Sequence, residues 1–244
     1  MTAFGGDTAT ASDGTLRYAH TPAQLPQGTL TELFLQAVDR FAKPDALRRR
    51  DAQGCLPAPH RAVLDDVRAL SRALRTELGV QRGDRVALLS ENRAEWLIAD
   101  YAILCAGALT VPLYATLPAN QLSVILHDCA ATVVIVSNAE QLAKVRTLQK
   151  EGGAVERVVV MEDAAASGDA VAWRALLATA RASMPAEEEF RSEALRARPE
   201  DVATLIYTSG TTGTPKGVML THDNMHSNVY GCFTTFEIGS SDVN

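Results

Sequence analysis

Cysteine is sparse and scattered: Cys55, Cys105, Cys129 and Cys232 form neither close pairs nor a metal-ligand spacing. A disulfide-stapled scaffold and a cysteine-zinc module are therefore excluded. Cys105 and Cys129 fall in apolar stretches and read as core positions, which fits a reducing cytoplasm. Basic excess is missing too, with 23 Lys and Arg against 29 Asp and Glu, a net charge of -6. Neither nucleic acid nor an anionic membrane is thus expected as the main partner, and Arg48–Arg50 reads as solvated surface. No apolar run is long enough to span a bilayer. The longest, from Trp96 to Leu113, is broken by Asp100 and Pro112 and reads as helix then strand. No integral membrane segment is expected, while peripheral membrane contact stays open. His222 and His226 stand four apart without a matching carboxylate or third histidine, so no metal ligand is assigned; His222 is expected to cap or pack near the preceding loop.

Residues 1–28 are rich in small polar side chains and lack the basic-then-apolar order of a signal peptide, so a mobile N-terminal tail is expected. From there the patterning is regular. Apolar residues at 30, 33, 34, 37, 38 and 41 predict an amphipathic helix from Thr29 to Ala42. A second helix, Arg61 to Leu78, carries Val63, Val67, Leu70, Leu74 and Leu78 on one face, with Gly79 as its stop. β-rich runs then begin near Arg85, Leu109, Thr132 and Arg157, about two dozen residues apart, with helical patterns between them. That spacing suits βαβ units and gives the fold class: α/β, a parallel-rich sheet flanked by helices. Asn92, Arg93, Glu95 and Trp96 follow the first of these strands, and a helix-start role is favoured there, Glu95 suiting the helix dipole. Asp163 to Pro199 reads as a linker holding a short helix around Trp173 to Ala182, with Glu187–Glu189 as a solvated turn.

The segment from Leu205 to His222, LIYTSGTTGTPKGVMLTH, places a Ser/Thr/Gly loop and one lysine between two apolar runs. Gly210, Gly213 and Gly217 are read as giving the backbone unusual freedom and close approach to a ligand. Thr208, Ser209, Thr211, Thr212 and Thr214 offer hydroxyls, successive backbone N–H groups can form an anion nest, and Lys216 adds a point charge suited to phosphate oxygens. Composition alone would also suit a flexible linker. Context argues otherwise: Ala203 to Tyr207 reads as a buried strand, Val218 to Leu220 resumes the apolar pattern, and a helix follows, capped by Thr221 or Asp223 and running to about Phe236. The loop is not a Walker A motif, which needs Gly before the lysine and Ser or Thr after it, where Pro215 and Gly217 stand.

TSGTTGTPKG, residues 208–217, resembles the signature loop of the adenylate-forming enzymes, and residues 83–136 are similar to the opening section of long-chain fatty-acid CoA ligases. The resemblance extends from about Leu30 to His222. It implies that residues 29–244 form part of an AMP-binding N-terminal domain, with the family's mobile C-terminal domain absent from the chain. It implies ATP, Mg2+ and coenzyme A: a carboxylate attacks the α-phosphorus of ATP, giving acyl-AMP and pyrophosphate, and the CoA thiol then displaces AMP. By the same resemblance Thr208, Ser209, Gly210, Thr211, Thr212, Gly213 and Thr214 cradle phosphate, and Lys216 stabilises its charge as the catalytic residue. The expected function is the N-terminal portion of an acid:CoA ligase acting on a small-molecule carboxylic acid, a long-chain fatty acid first among them, with the isolated chain inactive. A non-catalytic nucleotide-binding or interaction fragment, and the start of an amino-acid or aryl-acid adenylating enzyme, are the alternatives.

Overall fold

The computed structural model describes residues 8–10, 16–18, 27–51, 54–208 and 215–235. Strands β1 (Thr8–Thr10) and β2 (Leu16–Tyr18) pair antiparallel within the N-terminal stretch. Helix α1 (Leu30–Phe41) starts where Thr29 Oγ1 accepts the backbone N–H of Glu32 at 3.1 Å. A hairpin of β3 (Leu47–Asp51) and β4 (Gly54–Ala58) follows, where three consecutive arginines hide any strand alternation in the sequence. Helix α2 (His60–Thr76) buries Val63, Leu64, Val67, Leu70 and Leu74 along one face, as its period requires.

A seven-stranded sheet is built next: β5 (Arg85–Leu89), β6 (Leu109–Leu113), β7 (Val133–Val136), β8 (Arg157–Val160), β9 (Val171–Ala172), β10 (Val202–Thr208) and β11 (Lys216–Thr221). Their spatial order is β11-β10-β6-β5-β7-β8-β9, and every pairing except β10–β11 is parallel. Helices α3 (Ala94–Cys105), α4 (Ala119–Asp128) and α5 (Ala139–Lys150) make the crossovers. Val86, Leu88, Val133, Ile135 and Val159 face a core shared with α1, α2 and α3, whereas Ala87, Leu89, Val134, Val136, Val158 and Val160 face one shared with α4 and α5. Covered on both faces, these strands need no polar alternation, which is why Val133–Val136 and residues 158–160 read as continuous apolar runs. Truncating a fully buried residue such as Leu88 to Ala would cost about 2–5 kcal/mol.

The passage from Asp163 to Pro199 is not a linker. It supplies β9 at the sheet edge, α6 (Trp173–Ala182) with Trp173, Leu176, Leu177 and Ala180 buried, and α7 (Glu187–Ala194). Glu187–Glu189 form the first turn of α7 rather than a solvated turn, since carboxylates at a helix N-terminus meet the positive end of its dipole and Phe190 and Ala194 anchor the same helix in the core. Glu187 also meets Arg61 at 2.6 Å and Arg191 at 2.9 Å. Helix α8 (His222–Thr235) closes the described chain. Among the described residues no helix is long and apolar enough to cross a membrane.

Candidate phosphate-binding site

β10 runs parallel to β6, so its C-terminal end emerges on the side of the sheet where β5, β6 and β7 also end. Ligands of open α/β sheets gather on that side. Thr204 Oγ1 donates to the carbonyl of Thr110 at 2.9 Å and, with buried Ala203, fixes β10 to its neighbour. The chain leaves β10 at Thr208 and returns at Lys216, the two residues being direct cross-strand partners. Ser209, Gly210, Thr211, Thr212, Gly213 and Thr214 lie outside the described residues, between those two strand ends. The structure thus puts Thr208 and Lys216 side by side at the mouth of the loop. Both are exposed, and no carboxylate lies within 4 Å of Lys216 among the described residues.

Two readings of this segment are corrected. Gly217 has no left-handed backbone; it faces Tyr207 across the hairpin, and a Cβ on it would stand 3.0 Å from Tyr207 Cζ. Its missing side chain makes room for the ring. Val218 and Met219 do not resume a core but lie exposed on the edge strand β11, an outcome that an apolar count of a short run cannot distinguish from burial. Tyr207 Oη in turn donates to Asp128 Oδ2 at 2.5 Å, and burial followed by this hydrogen bond pushes the phenol well above its ordinary pKa. Asp128, at the end of α4, carried no sequence signal that linked it to the loop.

Thr221 caps α8 reciprocally with Asn224: Thr221 N–H donates to Asn224 Oδ1 and Asn224 N–H to Thr221 Oγ1, both at 3.1 Å. Thr221, not Asp223, is therefore the cap. His222 and His226 lie at the end of β11 opposite Lys216, against residues 28–30. His222 Nδ1 accepts the Leu30 N–H at 3.2 Å, and His226 packs on Gly28, whose added Cβ would come within 2.4 Å of Nε2. Burial lowers the His222 pKa, opposed by Asp201 and reinforced by Arg82. Among the described residues no group of three or more His, Cys, Asp or Glu converges as a metal site. On the strand-end side, Arg93 precedes α3 and donates through Nε to Glu95 Oε2 at 2.9 Å and through Nη1 to the Ser137 carbonyl at 3.4 Å, a helix-start role.

A mostly parallel sheet flanked by helices, with Thr208 and Lys216 paired at its C-terminal strand ends, defines an open-sheet α/β fold. The chain belongs to the AMP-binding enzyme family, whose profile matches residues 59–243. It is 42% identical over 168 residues to the long-chain-fatty-acid–CoA ligase FadD15 of Mycobacterium bovis, covering 68% of this chain and 27% of that protein. It is 31% identical over 229 residues to the peroxisomal long chain acyl-CoA synthetase 7 of Arabidopsis thaliana, covering 88% of this chain and 32% of that protein. Among solved structures, the anthranilate CoA ligase AuaEII in complex with anthranoyl-AMP aligns with a TM-score of 0.73 at 25% identity, over 87% of this chain and 39% of that one. A Mycobacterium tuberculosis fatty acyl CoA synthetase aligns with a TM-score of 0.67 at 25% identity, over 86% and 38%. The chain thus spans about a quarter to a third of the length of the curated relatives it matches.

Proposed function

We propose that this chain supplies the ATP-phosphate-handling part of an AMP-forming acid:CoA ligase whose acid is a long-chain fatty acid. The observation that carries the reading is the pairing of Thr208 with Lys216 at the mouth of the loop, on the sheet side where α/β folds bind ligands. In this reading Thr208, Ser209, Gly210, Thr211, Thr212, Gly213 and Thr214 cradle the β- and γ-phosphates, and Lys216 offsets the charge that accumulates on departing pyrophosphate. Lys216 can serve because no described carboxylate neutralises it. Mg2+ arrives with ATP and supplies further charge neutralisation; no ligand for it is assigned on this chain. Residues 29–244 act as part of the adenylation domain, the acid and CoA sites lying outside the residues assigned here. The support for a fatty acid is that two relatives, 42% and 31% identical over the aligned residues, are long-chain acyl-CoA ligases.

The test is fatty-acid-dependent exchange of labelled pyrophosphate into ATP by the protein that carries this chain. Exchange with palmitate that falls at least 100-fold in Lys216→Ala supports the reading. Exchange with amino or aryl acids alone would move the chain to another adenylating class, and exchange unaltered in Lys216→Ala would remove that residue from the mechanism.

A further inference from the structure

The N-terminal ends of the strands hold a second feature, on the side of the sheet away from the phosphate loop. A cleft of about 580 Å3 opens between α2 and α7, floored by Val80, Ala106 and Phe190. Its size lies within the range of small-molecule sites. Its walls are unusually cationic for a chain of net charge -6: Arg68, Arg72, Arg75, Arg82 and Arg196 line it against Glu189 and Glu193, an excess of three positive charges among the lining residues.

The pairing inside the cleft is incomplete. Glu193 alone is shared by Arg75 at 3.6 Å, Arg82 at 3.6 Å and Arg196 at 3.0 Å, so one carboxylate answers three guanidiniums. Arg68 is only 7% exposed; its Nη1 meets Asp65 at 3.1 Å and Glu187 at 3.8 Å and its Nη2 the Pro185 carbonyl, while its Nε is buried with no hydrogen-bond partner. Arg72, one turn further along α2, also has a buried Nε without a partner, and no carboxylate stands within 4 Å of its guanidinium among the described residues. Both Nε atoms are closed off from solvent, so an anion would be met by the cleft-lining parts of these two guanidiniums and by the more exposed Arg75, Arg82 and Arg196.

We infer that this cleft is a binding site for a compact organic or inorganic diphosphate, held by the arginines of α2 with Arg82 and Arg196. Guanidinium forks match phosphate oxygens in pairs, which suits arginine better than lysine here. Positions 68, 72 and 75 share one helix face and extend over about 10 Å at 1.5 Å per residue, wider than a single phosphate and suited to two. The site is separate from the phosphate loop, which leaves the opposite ends of the strands, and it needs no residue assigned to catalysis.

Hydrogen–deuterium exchange of the protein titrated with inorganic pyrophosphate tests this. The expected result is protection of residues 68–82 and 189–196 that persists in Lys216→Ala, weakens at least 10-fold in Arg72→Gln, and weakens less in Arg72→Lys, which keeps charge but loses the fork. Thermal unfolding of Arg72→Gln without ligand should match the parent, because Arg72 holds no structural partner. Protection confined to the phosphate loop, protection equal in Arg72→Gln, or none at millimolar pyrophosphate would overturn the inference.

Discussion

The backbone N–H of Leu30 donates to Nδ1 of His222 at 3.2 Å, joining the first turn of α1 to the start of α8, the helix that follows β11. The two residues are 192 positions apart, and His222 is 3% exposed. Only a neutral imidazole with a free Nδ1 lone pair can accept this bond.

Acid should therefore loosen the junction. Burial depresses the His222 pKa below its ordinary 6.5, so the folded chain binds fewer protons there than the unfolded one. The contribution is present above about pH 6.5 and is lost as pH falls through the lower folded value. Urea unfolding should show stability declining from pH 7 to pH 5, with a smaller decline in His222→Gln, whose amide carbonyl does not titrate. An identical pH dependence in both would assign the effect to other groups.

Gly28 is required by His226. A Cβ there would sit 2.4 Å from Nε2, 2.8 Å from Cδ2 and 2.9 Å from Cε1 of the ring. Gly28→Ala should cost about 1–3 kcal/mol as an overpacked contact. Combining it with His226→Ala should recover part of that loss, a coupling readable from a double-mutant cycle. Strict additivity of the two losses would mean that the contact does not constrain the fold.

Asp100 sits in the middle of α3, where burial lifts its carboxyl to about 6 from an ordinary 3.8, opposed by a hydrogen bond with the Thr110 side chain. A raised folded pKa means that its stabilising share is full below pH 3.8 and lost as pH rises through about 6. Asp100→Asn should thus be more stable than the parent at pH 7.5, by up to about 3 kcal/mol at 1.36 kcal/mol per unit, and the gain should fade toward pH 4. Denaturant titrations at both pH values check it; a destabilised Asn variant at pH 7.5 would show that the ionised form has a favourable partner.

Gly217→Ala probes the hairpin that carries the loop. Its Cβ would press on the Tyr207 ring at 3.0 Å from Cζ and 3.2 Å from the hydroxyl oxygen that binds Asp128. The expected cost is about 1–2 kcal/mol, with weaker binding of MgATP than of AMP as the loop mouth shifts. Tyr207→Leu in the same chain should relieve the strain.

Much of the fold was legible because its central strands are buried on both faces and its crossover helices fall at regular spacing. Val133–Val136 and the α2 stripe of Val63, Val67, Leu70 and Leu74 announce themselves by composition and period. α7 was hidden behind Glu187–Glu189, because an acidic first turn looks like solvated surface until Phe190 and Ala194 are seen to anchor it. The β3–β4 hairpin was masked by Arg48–Arg50, and β9 is too short, at two residues, to carry a period. At the site, the order of residues marked the loop, but only tertiary structure could reveal that Gly217 yields space to Tyr207, or that His222 and His226 grip residues 28–30.

In the proposed function the loop between Thr208 and Lys216 holds the phosphate tail of ATP. Its most direct test compares MgATP with AMP by calorimetric titration of the protein and of Lys216→Ala. MgATP is expected to bind at least 10-fold more tightly than AMP, with Lys216→Ala removing most of this difference while leaving AMP affinity unchanged. Equal affinities for the two nucleotides, or a preference for MgATP that survives in Lys216→Ala, would contradict it.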